Sequence, residues 1–343
     1  MPRRRNRRSK TFILPFVYSL LGVRLSGLPS SASFRSRRIR PWLRLLYQNP
    51  HALALVLISG LTWYGYEVFH ARPQMAFLGV PRAIDWKQPL TWTHILRNHG
   101  FMVGYSELRG NPLWVTFTLR PVPPTPLSHP RPRGFQTDWR NLTRIRPEDY
   151  SQSHYDRGHM APNHAMDLLF GRPAQWDSFL MTNVTPQKPN LNRKLWERLE
   201  EIELDRFTRL FGAVWVLTGP LFDAHREYLR TSRRVEIPDA FFRIYAAPRD
   251  SGAPRFLAFV VPQEVEGNEP LDRFLSSIDR IEALSGFDFF HELDDRAERE
   301  LEAEIQPAPW RVHEFARLPG RYARDVRADP RRQTESRDSH HVR

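Results

Sequence analysis

The sequence predicts an α+β fold in which helices flank a central, mostly antiparallel sheet, and three observations lead there. Short runs rich in β-branched and aromatic residues, at 100–106, 113–119, 213–217, 241–246 and 256–261, have the length and composition of strands. Two stretches repeat apolar residues at helical spacing: Leu195, Leu199 and Ile202 continued by Phe207, Leu210 and Phe211, and Leu271, Phe274, Leu275, Ile278, Ile281 and Leu284. Hydrophobic residues make up 41% of the 343, so a sizeable core is available, although length alone does not choose between one large domain and two small ones.

Taken in order, Met1 to Lys10 is basic and expected to be disordered. Thr11 to Val23 is apolar and ends at Arg24, the length of a signal-peptide core rather than of a membrane span, and Pro29 to Ser33 loosely matches a cleavage site. Residues 1–44 therefore read as a basic region, disordered or targeting. From Leu45 to Tyr66 no residue is formally charged, and Arg35, Arg37, Arg38, Arg40 and Arg44 stand just before, which makes 45–69 a candidate transmembrane or signal-anchor helix. The positive-inside rule would keep that arginine flank in the cytoplasm and export everything after Glu67, with Trp63, Tyr64 and Tyr66 as an interfacial belt. Asn49, Pro50 and His51 weaken the first half of the span, and the competing reading is a buried amphipathic helix packed on the folded domain.

Gly100 to Ser106 and Leu113 to Leu119 read as strands around a turn at Arg109-Gly110-Asn111-Pro112. Pro121 to Pro132 is proline-rich and must be an extended loop. Arg140 to Arg146 is basic, either a solvated loop or one that faces a substrate. Gly212 is a helix stop, and the second periodic stretch is a helix bounded by Pro270 and Gly286. Past Glu304 the pattern dissolves, so 304–343 reads as a basic disordered tail. There is no cysteine, hence no disulfide, zinc–thiolate site or thiol nucleophile. A net charge of +13 favours a polyanionic partner, nucleic acid or an anionic membrane surface, although part of it lies in Arg3 to Lys10 and Arg311 to Arg343.

The chemistry concentrates in Tyr155-Asp156-Arg157-Gly158-His159-Met160-Ala161-Pro162-Asn163. An imidazole that can take a proton, a guanidinium that can fork onto phosphate and a glycine that lets the backbone approach a ligand stand within three residues. The Asp-Arg-Gly-His run resembles the signature of the DNA/RNA non-specific endonucleases, the ββα-metal (His-Me finger) nucleases. Thr182-Asn183-Val184-Thr185-Pro186-Gln187 and Leu191-Asn192-Arg193-Lys194-Leu195-Trp196-Glu197-Arg198-Leu199-Glu200 resemble the second block of that family in order and distance. The similarity covers about Phe77 to Glu302, so a nuclease domain is expected over 77–303.

Hydrolysis of a phosphodiester needs a base for the attacking water, positive charge for the phosphate and stabilisation of the departing oxygen. The resemblance implies that His159 is the base and that Asn192 is the sole direct protein ligand of Mg2+ (or Mn2+). The bland alternatives are a buried histidine satisfied by backbone and an asparagine, Asn192 or Asn190, that caps the following helix. Eight residues along a helix place Glu200 on the side of Asn192 and Trp196, where it would bind water around the ion or orient a basic group, as the corresponding family glutamate does. Glu197, Glu201 and Glu203 read as surface charges. Arg157 suits the phosphate, or an ion pair with Asp156, and Asp156 reads as structural. Asn163 either orients the site as a substrate-binding residue or stabilises its loop.

The expected activity is metal-dependent, sugar-non-specific hydrolysis of DNA and RNA, leaving 5′-phosphate and 3′-hydroxyl ends as the family does. The competing class is a membrane-tethered nucleic-acid-binding protein with a silent nuclease fold, and a weaker one a phosphoesterase for small diesters. The expected location is a membrane anchor with the nuclease domain outside the cytoplasm, or else secretion or a periplasmic place. A homodimer is left open.

Overall fold

The computed structural model describes residues 48–249 and 252–320. The region 1–44 with its signal-like stretch 11–23, and the arginine-rich end after 320, lie outside the described residues. The chain divides into two units between Phe69 and His70.

In the first unit, helix α1 (Pro50–Tyr66) opens with proline at its first turn, where the missing N–H is no loss. None of its residues is buried, and Leu55, Leu57, Ile58 and Leu61 are all more than half exposed. Among the described residues, Pro50–Ala71 is the helix long and apolar enough to cross a membrane by length and composition.

The second unit is built on a seven-stranded sheet. Its strands are β1 (His94–Arg97), β2 (Phe101–Ser106), β3 (Asn111–Leu119), β6 (Val214–Leu221), β7 (Ala240–Ala247), β8 (Arg255–Pro262) and β9 (Leu275–Ser276). They lie in the order β9-β8-β7-β6-β3-β2-β1 with every neighbouring pair antiparallel. Both faces are covered, and the two-residue period of a strand sorts the side chains. On β7, Phe241, Tyr245 and Ala247 enter one core cluster while Phe242, Ile244 and Ala246 enter the other. On β8, Leu257, Phe259 and Val261 alternate in the same way with Phe256 and Ala258.

A separate ribbon of two short strands, β4 (Asp156–His159) and β5 (Val184–Gln187), stands outside the sheet. Helix α2 (Asn163–Phe170) follows β4. After β5 comes α3, a continuous helical run over 191–211 in which wide turns at Leu191–Trp196 and Glu203–Phe207 alternate with ordinary α-helical turns at Glu197–Ile202 and Thr208–Phe211. It ends at Gly212, the helix stop expected there, whose φ of 75° glycine adopts without strain. Leu195, Trp196, Leu199 and Phe207 pack α3 onto the sheet face that carries Phe241 and Tyr245.

Three expectations need correction. The second periodic stretch does not start a helix at Pro270: Leu271–Phe274 is a single tight turn, Leu275 pairs with Phe259 as part of β9, and helix α4 is Ile278–Ser285. Ser277 explains the start, because its side chain accepts from the Arg280 N–H, and Gly286 closes the helix as read. The turn before β3 ends at Gly110, so Asn111 and Pro112 already belong to the strand, beside an irregularity in the pairing with β2 that tolerates proline. The tail keeps structure as far as 320: Trp310 is fully buried and donates from Nε1 to the Phe256 carbonyl at 3.0 Å. A few aromatic anchors set among polar residues make a packed segment without making a period.

Candidate active site

The ribbon places the signature. In the pairing of β4 with β5, Asp156 faces Gln187 and His159 faces Val184. Arg157 and His159, two residues apart, share one face of β4 at roughly 6–7 Å. Beyond the strand the chain is held by Asn183, whose side chain accepts from the Ala161 N–H at 2.9 Å and donates to the Ala161 carbonyl at 3.0 Å and the Ser178 carbonyl at 2.9 Å. That clamp gives the second sequence block its physical meaning. Gly158 has a different task from the one expected: a Cβ there would lie 2.0 Å from Oε1 of the buried Gln187, so glycine makes room for a side chain of the partner strand rather than for a ligand.

A cavity of about 650 Å³ opens beside the ribbon and gathers all five residues singled out by sequence: Arg157, His159, Asn163, Asn192 and Glu200 reach it together. His159 packs between Phe135 and Phe179 at ring distances of 5.1 and 5.0 Å, and its Nε2 is buried without a hydrogen-bond partner. Burial first, then the nearby Arg131 guanidinium, pushes the imidazole down to about 3, so the ring is neutral at physiological pH. Asn163 brings a buried, unpartnered Oδ1 to the same wall from the first turn of α2.

Asn192 is not a simple cap, since no side-chain cap hydrogen bond forms at Asn190 or in the turn after it. Its Nδ2 donates to Asp156 Oδ2 at 3.0 Å. A carboxamide whose nitrogen is engaged on one side turns its oxygen to the other, and Asp156 thereby sets which atom Asn192 presents. The same carboxylate takes a fork from Arg193 at 2.7 and 2.6 Å, so the ion pair offered to Arg157 by sequence goes to Arg193. Arg157 instead donates Nε and Nη2 to the Pro147 carbonyl at 3.2 and 2.6 Å and lies over the Phe135 and Tyr150 rings, held in place at the cavity edge.

Glu200 arrives from α3. Counted as pure α-helix, eight residues overshoot two turns by about 80°. One wide i→i+5 turn takes up about one residue more than an ordinary turn, so a wide turn followed by an ordinary one brings Glu200 back above Asn192. Trp196, expected on that side, buries its ring against Phe241 at 5.6 Å. Burial pushes the Glu200 carboxyl up to about 8 against the opposing pull of Arg243, with Glu203 and Glu197 adding to the rise. Glu203 is not the surface charge expected: it is fully buried, and Arg243 on β7 forks onto it at 2.7 and 2.5 Å beneath the cavity.

The donor set suits a hard cation: an amide oxygen fixed in direction, a carboxyl that burial pushes up to about 8 in spite of Arg243 and Arg131, and a further amide oxygen, that of Asn163, without a hydrogen-bond partner. Arg131 was missed by the sequence reading. It sits in the proline-rich loop, where no period or motif marks it, yet it lies 5.2 Å over Phe179 and acts on both His159 and Glu200. Arg140, in the stretch left open between solvent and substrate, is structural: it binds Asp138 at 2.7 Å and Asn98 at 2.7 Å.

With this geometry in view, the sequence matches the DNA/RNA non-specific endonuclease family over residues 88–296. It is 34% identical over 164 residues to Nuclease C1 of Cunninghamella echinulata var. echinulata, covering 45% of this chain and 64%, just under two thirds, of that nuclease. It is 31% identical over 209 residues to mitochondrial endonuclease G of Homo sapiens, covering 57% of this chain and 69% of that protein. The fold superposes on a chain from the crystal structure of the EndoG/EndoGI complex with a TM-score of 0.56, at 23% identity, over 66% of this chain and 93% of that one.

Proposed function

Because the chain belongs to the DNA/RNA non-specific endonuclease family, we propose that it hydrolyses phosphodiester bonds of DNA and RNA in a metal-dependent reaction with His159 as general base. The observation that carries this reading is the convergence on one cavity of a neutral imidazole and an asparagine whose orientation Asp156 sets. Asn192, with Glu200 behind it, would hold Mg2+ or Mn2+, which when bound supplies positive charge to the phosphate and the departing oxygen.

The residues divide the remaining work. His159, its ring held between Phe135 and Phe179, takes the proton of the attacking water. The negative charge of a bound diester raises the proton affinity of the ring from its depressed resting value. Arg131 and Arg157 offset charge on the non-bridging oxygens, and Glu200 orients water within the cavity. Asn163 positions substrate from the first turn of α2. Contacts of this kind go to phosphate and sugar, so base sequence matters little.

We also read α1 as a membrane anchor, supported by its exposed apolar length and the arginines before it. The catalytic reading is tested by nicking of supercoiled plasmid with and without MgCl2 by wild type, His159→Ala and Asn192→Ala. Cutting that needs the ion and is lost in both variants is expected. Wild type that binds but never cuts would favour the silent nucleic-acid binder. Protease access to the nuclease domain in intact cells tests the anchor's orientation.

A further inference from the structure

A second cluster of titratable groups lies on the sheet face opposite the cleft. Helix α4 and the following helix α5 (Asp295–Ala303) pack there, and Ile278 and Ile281 belong to the core cluster of that face. Asp279 and Glu282, one turn apart on α4, and Glu302 on α5 each bring a carboxylate oxygen within 4.8 Å of the others. Glu302 is 2% exposed and its Oε1 has no hydrogen-bond partner. Glu282 Oε1 accepts from the Phe289 N–H at 2.7 Å, which fixes that carboxylate against the chain after α4.

A buried carboxylate with an oxygen left without a partner is costly unless that oxygen is paired or bound to a cation. Burial first, then the negative charges of Glu282, Glu298, Asp279 and Asp288, push Glu302 up to about 9, and burial with Asp288, Asp279 and Glu298 pushes Glu282 up to about 7 against the Phe289 N–H. Asp288 has a distant arginine partner, Arg82 at 3.9 Å, outside the triad. We propose that Asp279, Glu282 and Glu302 bind a divalent cation of the calcium class, clamping α4 to α5 independently of the nuclease cleft. Oxygen-only donors disfavour the softer transition metals, and a calcium ion at about 2.4 Å from each of three ligands suits oxygens about 4 Å apart, a spacing that lies within the reach of this triad. Magnesium, with its shorter bonds and rigid octahedron, fits three side chains on two helices less well.

The full chain carrying Asn192→Ala, which empties the proposed cleft ligand, is titrated with CaCl2 by calorimetry and followed by thermal melting. One bound Ca2+ per chain and a melting temperature that rises with CaCl2 are expected, with MgCl2 at least tenfold weaker. Adding Asp279→Asn, an exposed position that leaves the core untouched, should weaken Ca2+ binding at least tenfold, as should Glu302→Gln. Absence of binding to the Asn192→Ala chain would place any ion in the cleft and overturn the proposal. Equal Ca2+ affinity in the Asp279→Asn and parent chains would do the same. A Glu302→Gln chain that melts higher while its parent ignores CaCl2 would show that the carboxyls share a proton instead.

Discussion

Glu200 and Glu203 stand three residues apart on α3, and their fates differ completely. Glu203 turns to the sheet, where Arg243 closes on it with two short hydrogen bonds under the Trp196 and Phe117 rings. Glu200 turns to the cavity, where Arg243 reaches it only through space and burial leaves it holding a proton to about pH 8. Glu203 is fully buried, whereas Glu200 is partly buried and lines the open cavity. The paired acid fixes the helix on the sheet, and the acid left without a fork is free to change protonation when charge enters the cleft. One helix thus carries a paired acid on one surface and an acid without a fork on the other.

The sharpest way to break this comparison is on the cleft side. His159→Ala should lower plasmid cleavage by about 10²–10⁴, the usual worth of a positioned base, while the circular dichroism spectrum at pH 8 stays unchanged. On the sheet side Arg243→Ala should spare the cleft residues yet cost about 3–5 kcal/mol in urea unfolding, because Glu203 is left charged and buried. The double change Arg243→Met with Glu203→Leu should recover most of that loss, and failure to recover it would mean the pair does more than satisfy itself. Glu200→Gln should reduce cleavage by roughly 10–100-fold without loss of stability, the reverse of the Arg243 result. A Glu200→Gln chain that unfolds as readily as Arg243→Ala would erase the distinction between the two faces.

The smallest effect concerns pH. His159 sits at about 3 in the fold against an ordinary 6.5, so the unfolded chain takes up its proton first as pH falls. The stability that goes with a neutral ring is complete above about 6.5 and drains away below it toward 3. In metal-free buffer the melting temperature of wild type should therefore drop more between pH 7 and pH 5 than that of His159→Ala. Parallel curves would mean the ring is better solvated than its packing against Phe135 and Phe179 implies.

The strands of the sheet and the ends of the helices at Gly212 and Gly286 were legible because β-branched runs and glycine stops are local signals. That Asn192 and Glu200 share one side was legible because both ride on one helix, though the wide turns that align them were not, since nothing in Leu191 to Trp196 announces a change of pitch. Residues whose meaning depends on a distant partner escaped. Glu203 looked like a surface charge until Arg243, 40 positions away, came beneath it. Gly158 looked like a ligand site until Gln187 filled the space behind it. Arg131 comes to the cavity from a loop that no periodicity describes.

The Asp156–Asn192 hydrogen bond has a further consequence. The two ends of a carboxamide are nearly alike in shape and opposite in polarity, so a half-turn about one bond would swap an electron-rich face for a pair of hydrogens. Asp156 acts as the latch on that rotor. On the proposed reading, exchanging it for a neutral look-alike would release a side chain that welcomes a cation in one orientation and repels it in the other, with every other residue of the cleft unaltered.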